Sequence, residues 1–247
     1  MPVESILKNG AVYITFDEPP VNALSSRALN ELKNHLAEAA QNDAARSIVL
    51  QSRGRTFCAG ASFDELIRLE NMAEAVEFFN GFGRVINQMR KAPKPVIVRI
   101  QGKTVGGGNG LAAAGDLVLA TDQAAFKLSE LSLGIGPYVI SPAIRRRGGA
   151  ALLHRMAWQP WRWFSAFDMQ KAGMVDHVFE STGAMDDYID EATGRFAGYD
   201  ARALAEWKET LWADARSWDE LLPEMASKSA LLLLRRPVKE HLQRLKK

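Results

Sequence analysis

The residues best suited to chemistry lie in a glycine-rich segment, residues 101–116, whose sequence is QGKTVGGGNGLAAAGD. The apolar run from Val96 to Ile100 precedes the glycines and predicts a buried strand, and the alanines that follow predict a helix. A strand that turns through glycines into a helix directs bare backbone N–H groups toward one point, aided by the helix dipole. Such a point stabilises negative charge, either on a phosphate or on an oxyanion that forms during a reaction.

The spacing of the glycines disfavours a nucleotide phosphate. Residues 102–104, Gly-Lys-Thr, match the end of a P-loop, but Ile97 stands where that motif requires its first glycine. A dinucleotide-binding Gly-x-Gly-x-x-Gly would end where this segment has Leu111. The sequence has no Gly-x-Ser-x-Gly elbow for a serine hydrolase, and Cys58 is interpreted as a small buried hydrophobe. The alternative to an anion site is that the glycines serve only a tight turn and close helix packing.

The composition excludes several other classes of protein. The 247 residues include 31 basic and 29 acidic side chains, and a net charge of +2 argues against a general nucleic-acid binder. A single cysteine excludes an internal disulfide, and the four scattered histidines lack metal-ligand spacing, so we expect no metal site. The N-terminus lacks the pattern of a secretory signal, and the longest wholly apolar run, residues 230–234, is too short to span a bilayer. We therefore expect a soluble cytoplasmic protein.

Strands and helices alternate through the first part of the chain, and helices alone follow from residue 184, which predicts an α/β core with a helical C-terminal extension. Ser25 or Ser26 is predicted to cap one helix, and another helix over residues 76–89 is predicted to end before Pro93. Ser141 is predicted as a helix cap, with proline at the first helical position. Residues 164–173 are predicted as helix, and strands are predicted at residues 11–16, 47–51, 96–100, 116–120 and 175–179.

Four motifs taken together are more specific than any one of them. They are FCAGA at residues 57–61, VGGG at 105–108, AGD at 114–116 and SELSLGI at 129–135. In this order and spacing the chain resembles the crotonase (enoyl-CoA hydratase/isomerase) superfamily, and residues 173–178 resemble that family's Gly-Leu-Val segment. The resemblance implies an α/β fold with a crotonase-type ββα spiral core over residues 1–195. It also implies a C-terminal helical trimerisation region over residues 196–247.

The resemblance further implies an acyl-CoA thioester as substrate, with coenzyme A as part of the substrate and no separate cofactor. Two backbone N–H groups, at positions that match Ala61 and Gly107, would hold the thioester oxygen. Glu130 matches a catalytic glutamate, and an apolar acyl pocket would raise its pKa and suit it to acid/base work. Further substrate contacts are expected at Ala59, Gly108, Tyr138 and Asp64, and the CoA phosphates are expected near Arg55.

One position departs from the pattern of two-glutamate hydratases, because Gly110 occupies the place of their first glutamate. A single carboxylate suffices to move a proton between Cα and Cγ. It also serves hydration if Glu130 does both jobs or if Tyr138, Glu65 or Asp64 assists. Hydration and double-bond isomerisation therefore both stay open. Acyl-CoA decarboxylation, thioester hydrolysis and a non-catalytic acyl-CoA-binding trimer are the alternatives on the same fold.

The six tryptophans are expected to serve core packing and subunit contact, since nucleic-acid stacking would need accompanying basic residues. They cluster in two groups, residues 158, 161 and 163 and residues 207, 212 and 218. Proteins of the family that this chain resembles assemble as trimers or dimers of trimers, and we expect the same assembly here. The tryptophan-bearing C-terminal tail is expected at the interface, and no nucleic-acid or membrane partner is expected.

Overall fold

The computed structural model describes residues 2–246, and a six-stranded sheet forms its first layer. In spatial order this sheet contains β1 (Val3–Lys8), β2 (Ala11–Phe16), β4 (Ser47–Ser52), β7 (Val96–Ile100), β9 (Leu117–Thr121) and β12 (His177–Phe179). The strand β1 is antiparallel to β2, and every later pairing in the sheet is parallel.

Short strands lie beside the large sheet. They are β3 (Ala23–Leu24), β5 (Thr56–Cys58), β6 (Gly60–Ala61), β8 (Lys103–Val105), β10 (Ala125–Lys127) and β11 (Phe164–Ser165). Four of them form a sheet in the order β11-β10-β8-β5, and β3 pairs with β6 in parallel.

Helices connect the strands and make up the C-terminal part of the described chain. Two 3-10 turns, Glu130–Leu133 and Ala213–Ala215, interrupt the connections. Within residues 2–246, no helix has the length and apolar character needed to cross a membrane. The helices are α1 (Ser26–Gln41), α2 (Phe63–Arg68), α3 (Met72–Lys91), α4 (Gly107–Ala113), α5 (Ser141–Trp158), α6 (Ala166–Lys171), α7 (Thr182–Ala197), α8 (Ala201–Leu211), α9 (Trp218–Leu233) and α10 (Arg236–Lys246).

The helices predicted from hydrophobic periodicity are confirmed. In α1, Leu29, Leu32 and Leu36 lie on one face and are fully buried, and the Ser25 side chain accepts a hydrogen bond from the N–H of Ala28. The helix α3 buries three phenylalanines and ends at Lys91, two residues before Pro93. The strong hydrophobic periodicity of these two segments therefore predicted correctly that they are helices and approximately where they end.

Two local predictions were wrong. Ser141 is the first residue of α5 and does not cap it, because its hydroxyl donates to the carbonyl of Tyr138. Residues 164–173 do not form one helix, since Phe164 and Ser165 pair with β10 before α6 begins. Strand β1 was not predicted, because only Val3 of its six residues is buried.

The C-terminal helices share a hydrophobic core with the sheet. Trp212, Leu222 and Leu233 belong to the same buried cluster as the strand residues, and α9 packs against α3. A division at residue 195 therefore separates stretches of sequence that are packed together. The expectation that the tryptophan-bearing tail is interfacial does not apply to Trp212 and Trp218, which are buried and meet edge to face at 5.7 Å.

A buried ion pair joins α8 to the edge of the glycine-rich segment. The ammonium of Lys208 lies 2.8 Å from the carboxylate of Asp116 and donates to the carbonyls of Met89 and Lys94. The indole N–H of Trp212 donates to the other oxygen of Asp116. Burial lowers the pKa of Lys208, while the charge of Asp116 opposes that change. The Ala-Gly-Asp motif thus anchors the C-terminal helices to the core.

Candidate functional site

The glycine turn between β8 and α4 brings bare backbone against Glu130. Gly106 has a left-handed φ of +52°, and a Cβ atom on it would lie 3.0 Å from Oε1 of Glu130. The N–H of Gly106 donates to the carbonyl of Lys127, which ties the turn to β10. Both the positive φ and this close approach favour glycine at position 106.

Gly107 begins α4, so its N–H belongs to the first turn, which has no intrahelical acceptors. A Cβ atom on Gly107 would lie 2.3 Å from a ring carbon of Phe82. The absence of a side chain therefore lets the ring of Phe82 and the backbone of α4 form one wall of a cavity.

Strand β6 lies beside this turn and supplies the second segment of bare backbone. Gly60 has a φ of +89°, and a Cβ atom on it would lie 3.6 Å from the backbone nitrogen of Gly107. Ala61 follows directly and lines the same cavity as Gly107. The two positions predicted to hold an oxyanion are thus brought together by the fold.

Glu130 is the first residue of a 3-10 turn, and its Oε2 atom is buried without a hydrogen-bond partner among residues 2–246. The residue as a whole is partly exposed, toward the cavity that it lines. Burial raises its pKa from 4.5 to about 7, against a smaller opposing effect of its own backbone N–H. A carboxyl group with this pKa gives and takes protons near neutral pH.

The cavity has a volume of about 220 Å³ and is largely apolar. Ring and aliphatic side chains from α2 and α3 form one side, with Phe63, Leu66, Phe79 and Phe82. Its polar side chains are Ser129, Glu130, Tyr138 and Ser229. The predicted site residues that line it are Ala59, Ala61, Gly107, Glu130 and Tyr138.

Two predicted substrate-binding residues lie outside this lining. Gly108 packs on Cys58, because a Cβ atom at Gly108 would lie 2.8 Å from that of Cys58. Asp64 is exposed on α2, and only Phe63 and Leu66 of that helix line the cavity. The structure thus does not place Gly108 or Asp64 in the lining of this cavity, and Arg55 is exposed on the turn before β5.

Of the groups considered as helpers for Glu130, Tyr138 alone lines the cavity. The carboxylate of Glu65 accepts a hydrogen bond from the N–H of Ser26 at 2.8 Å, so Glu65 holds the first turn of α1. Cys58 is fully buried and burial raises its pKa to about 12, which agrees with its interpretation as a buried hydrophobe.

Gly110, which the family resemblance places where two-glutamate hydratases have their first glutamate, is buried inside α4. A Cβ atom there would lie 2.4 Å from Cγ2 of Ile140 and 3.3 Å from Cδ1 of Ile86. The position therefore lacks both a carboxylate and the space for one.

Sequence reasoning missed three residues that build the site. The side chain of Asn109 is fully buried and donates to the carbonyls of Lys127 and Gly106, so it fixes the glycine turn. Ser229 enters the cavity from α9. Lys239 of α10 donates to three carbonyls at the end of α2, those of Leu66, Ile67 and Leu69. An asparagine within a run of glycines was a usable signal for Asn109. Ser229 and Lys239 carried no such signal, because they lie about a hundred residues or more from the four motifs.

The architecture is the crotonase fold. A crystal structure of an enoyl-CoA hydratase from Bacillus halodurans superposes with a TM-score of 0.92 at 20% identity, covering 99% of this chain and 100% of that one. The model of the family described as enoyl-CoA hydratase/isomerase matches residues 7–231, and the chain belongs to that family.

Two curated relatives differ in the reactions that their names describe. One is the (7aS)-7a-methyl-1,5-dioxo-2,3,5,6,7,7a-hexahydro-1H-indene-carboxyl-CoA hydrolase of Mycobacterium tuberculosis, 33% identical over 135 residues, which are 54% of this chain and 55% of that protein. The other is the cyclohexa-1,5-dienecarbonyl-CoA hydratase of Thauera aromatica, 28% identical over 166 residues, which are 67% of this chain and 62% of that protein. The chain thus spans between about half and two thirds of the length of these relatives.

Proposed function

We propose that this protein processes an acyl-CoA thioester by moving a proton at the carbon next to the thioester carbonyl. Glu130 is the acid/base, and the N–H groups of Ala61 and Gly107 hold the oxygen of the enolate. The observation that carries the proposal is the buried, unpartnered Oε2 of Glu130 in an apolar cavity that Ala61 and Gly107 also line. Membership of the enoyl-CoA hydratase/isomerase family supports the thioester as the substrate class.

In this mechanism the Glu130 carboxylate takes a proton from Cα, and the electron pair of the broken C–H bond moves onto the thioester oxygen. Two N–H donors stabilise the resulting oxyanion, and loss of one such donor in other enzymes slows reactions by about 10² to 10³. Glu130 then returns the proton to Cγ, which shifts the double bond without any other acid or base. A pKa of about 7 favours both halves of this cycle at neutral pH.

The double-bond shift is the reaction that the site favours within this class. Hydration needs a group that holds the attacking water, and Ile140 fills the space beside Gly110 where a second carboxylate would extend. Hydration with Tyr138 as the assisting group is the second candidate, because Tyr138 lines the cavity. A hydrolase is a third, supported by the name of the Mycobacterium tuberculosis relative.

The test is incubation with crotonyl-, 3-enoyl-, methylglutaconyl- and malonyl-type CoA esters, with products identified by mass and Cα exchange followed by NMR in D₂O. We expect a double-bond shift from the 3-enoyl ester, and a loss of at least ~10²-fold in rate for Glu130→Gln with ester binding retained. Glu38→Gln is the matched control, since Glu38 is exposed on α1. An unchanged rate in Glu130→Gln removes Glu130 from the mechanism. Binding without exchange indicates a non-catalytic acyl-CoA-binding protein, and release of free CoA indicates a hydrolase.

We also propose the trimer or dimer of trimers that the family resemblance implies. Trp158 and Trp161, which lie at and just beyond the end of α5, and Trp207 of α8 are each more than 60% exposed, and large exposed aromatic side chains favour burial between subunits. Light scattering is expected to give a mass near three or six times that of the 27.3 kDa chain. A monomeric mass would contradict this proposal.

A further inference from the structure

Ser229 is a polar side chain in the apolar cavity for which the proposed proton transfer has no use. It lies in the C-terminal half of α9, is 2% exposed and lines the cavity together with Glu130 and Tyr138. A buried hydroxyl in a largely apolar cavity lowers stability unless it gains a hydrogen-bond partner.

The hydroxyl of Ser229 has only a weak partner within the described part of the chain. It donates to the carbonyl of Gly136 at 3.5 Å, whereas O–H donors usually lie 2.7 to 2.8 Å from their acceptors. Gly136 lines the same cavity, so this contact leaves the hydroxyl at the cavity surface.

Ser227, two residues earlier in α9, shows the usual behaviour of a serine within a helix. Its hydroxyl donates to the carbonyl of Pro223, one turn back in the same helix, at 3.2 Å. Ser229 donates to Gly136 instead, across the boundary between α9 and the loop after Glu130. The hydroxyl of Ser229 is therefore directed away from its own helix and toward the wall of the cavity.

We propose that Ser229 is a specificity-determining residue that hydrogen-bonds an oxygen substituent, a hydroxyl or carbonyl group, on the acyl chain of the substrate. This inference rests on the proposed acyl-CoA substrate and adds the class of acyl group. The oxygen of the serine has free lone pairs to accept from a substrate hydroxyl, and its O–H can turn from Gly136 to donate to a substrate carbonyl. A site built to hydrogen-bond a substrate oxygen discriminates strongly against the analogue that lacks it.

The experiment compares binding of hexanoyl-CoA with that of 4-, 5- and 6-hydroxyhexanoyl-CoA and 5-oxohexanoyl-CoA by calorimetry, in the wild-type protein and two variants. We expect the wild type to bind at least one oxygenated ester about 10-fold more tightly than hexanoyl-CoA. Ser229→Ala is expected to lose this preference, and Ser227→Ala is expected to keep it. Because the preference is a ratio of two affinities in one variant, partial loss of folded protein does not change it.

Cα exchange of the same esters in D₂O separates a failure of this inference from a failure of the proposed function. Exchange of hexanoyl-CoA without any preference for an oxygenated ester overturns the inference alone, and so does a preference that survives in Ser229→Ala. Absence of binding of every ester overturns the proposed function and the inference together. Binding with the expected preference but without exchange supports the role of Ser229 and contradicts the proton transfer.

Discussion

Ile140 occupies the space into which any side chain at Gly110 would extend. The nearest approach is 2.4 Å, between Cγ2 of Ile140 and a Cβ atom built on Gly110. The position at which a second carboxylate would stand is therefore closely packed, since α4 and α5 meet there. A glutamate introduced at position 110 alone is therefore not expected to provide the water-holding group of a hydratase.

Gly110→Glu is expected to destabilise the protein by about 1 to 3 kcal/mol through overpacking, without adding hydratase activity. Gly110→Glu combined with Ile140→Ala is expected to recover part of that loss, because the smaller residue frees space beside α4. Urea denaturation gives the stabilities, and the absorbance of crotonyl-CoA follows hydration. Gly194→Glu is the control, since a Cβ atom at Gly194 has nothing within 4 Å. Full stability of the single variant Gly110→Glu would contradict the packing argument.

The raised pKa of Glu130 makes stability depend on pH in a defined direction. The unfolded chain loses this proton near pH 4.5, while the folded protein keeps it up to about pH 7. The contribution of Glu130 to stability is therefore fully present below pH 4.5 and is lost as the pH rises to about 7, by up to about 3 kcal/mol. Glu130→Gln lacks this loss. We therefore expect the free energy of unfolding of the variant to rise relative to that of the wild type as the pH rises from 4.5 to about 7.

Urea denaturation of both proteins at pH values between 4 and 8 measures this difference, with Glu38→Gln as the exposed control. The control is expected to follow the wild type throughout. Parallel stability profiles for Glu130→Gln and the wild type would show that the Glu130 carboxyl group titrates as an ordinary exposed one.

Gly106→Ala tests whether the close approach of backbone to the carboxyl group matters for the reaction. The added methyl group would lie 3.0 Å from Oε1 of Glu130, and the alanine would have to keep the positive φ of +52°. We expect a cost of about 1 to 2 kcal/mol in stability from the φ alone, together with a rate at least ~10-fold lower.

Gly149→Ala separates the two effects. Gly149 lies at a kink within α5 with a φ of +77°, and a Cβ atom on it has nothing within 4 Å. The control should therefore lose comparable stability with an unchanged rate. If Gly106→Ala kept the wild-type rate, the position of Glu130 would not depend on the glycine turn.

The sequence predicted the parts of the site that depend on local pattern. The glycine turn, the motif position of Glu130 and the amphipathic helices α1 and α3 all carry signals within about ten residues, and the periodic helices were placed correctly. The Ser141 cap failed because a hydroxyl near a helix start can bond either forward or backward, and this one bonds back to Tyr138.

The parts that could not be predicted are contacts between distant segments. Ile140 meets Gly110 from thirty residues further along the chain, and Ser229 and Lys239 reach the cavity region from the C-terminal helices. Neither residue type nor spacing distinguishes Ser229 and Lys239 from surface residues. Their roles follow only from the packing of α9 and α10 against the core.

The last helix, α10, fixes two walls of the cavity from outside. Lys239 donates to the carbonyls of Leu66 and Ile67 at 3.0 Å, and a ring nitrogen of His241 lies 2.9 Å from the carbonyl of Ser132, in the turn that begins with Glu130. Burial lowers the pKa of Lys239, while the charge of Glu70 opposes that change.

Lys239→Met removes the donor from carbonyls at the end of α2, and we expect a loss of about 1 to 2 kcal/mol in stability. Because α2 carries the lining residues Phe63 and Leu66, KM for the CoA ester should rise more than kcat falls. Lys228→Met is the matched control, since Lys228 pairs with Glu224 on the exposed side of α9 and such pairs contribute less than about 1 kcal/mol. A lower stability with unchanged KM would mean that α10 stabilises the fold without positioning the wall of the cavity.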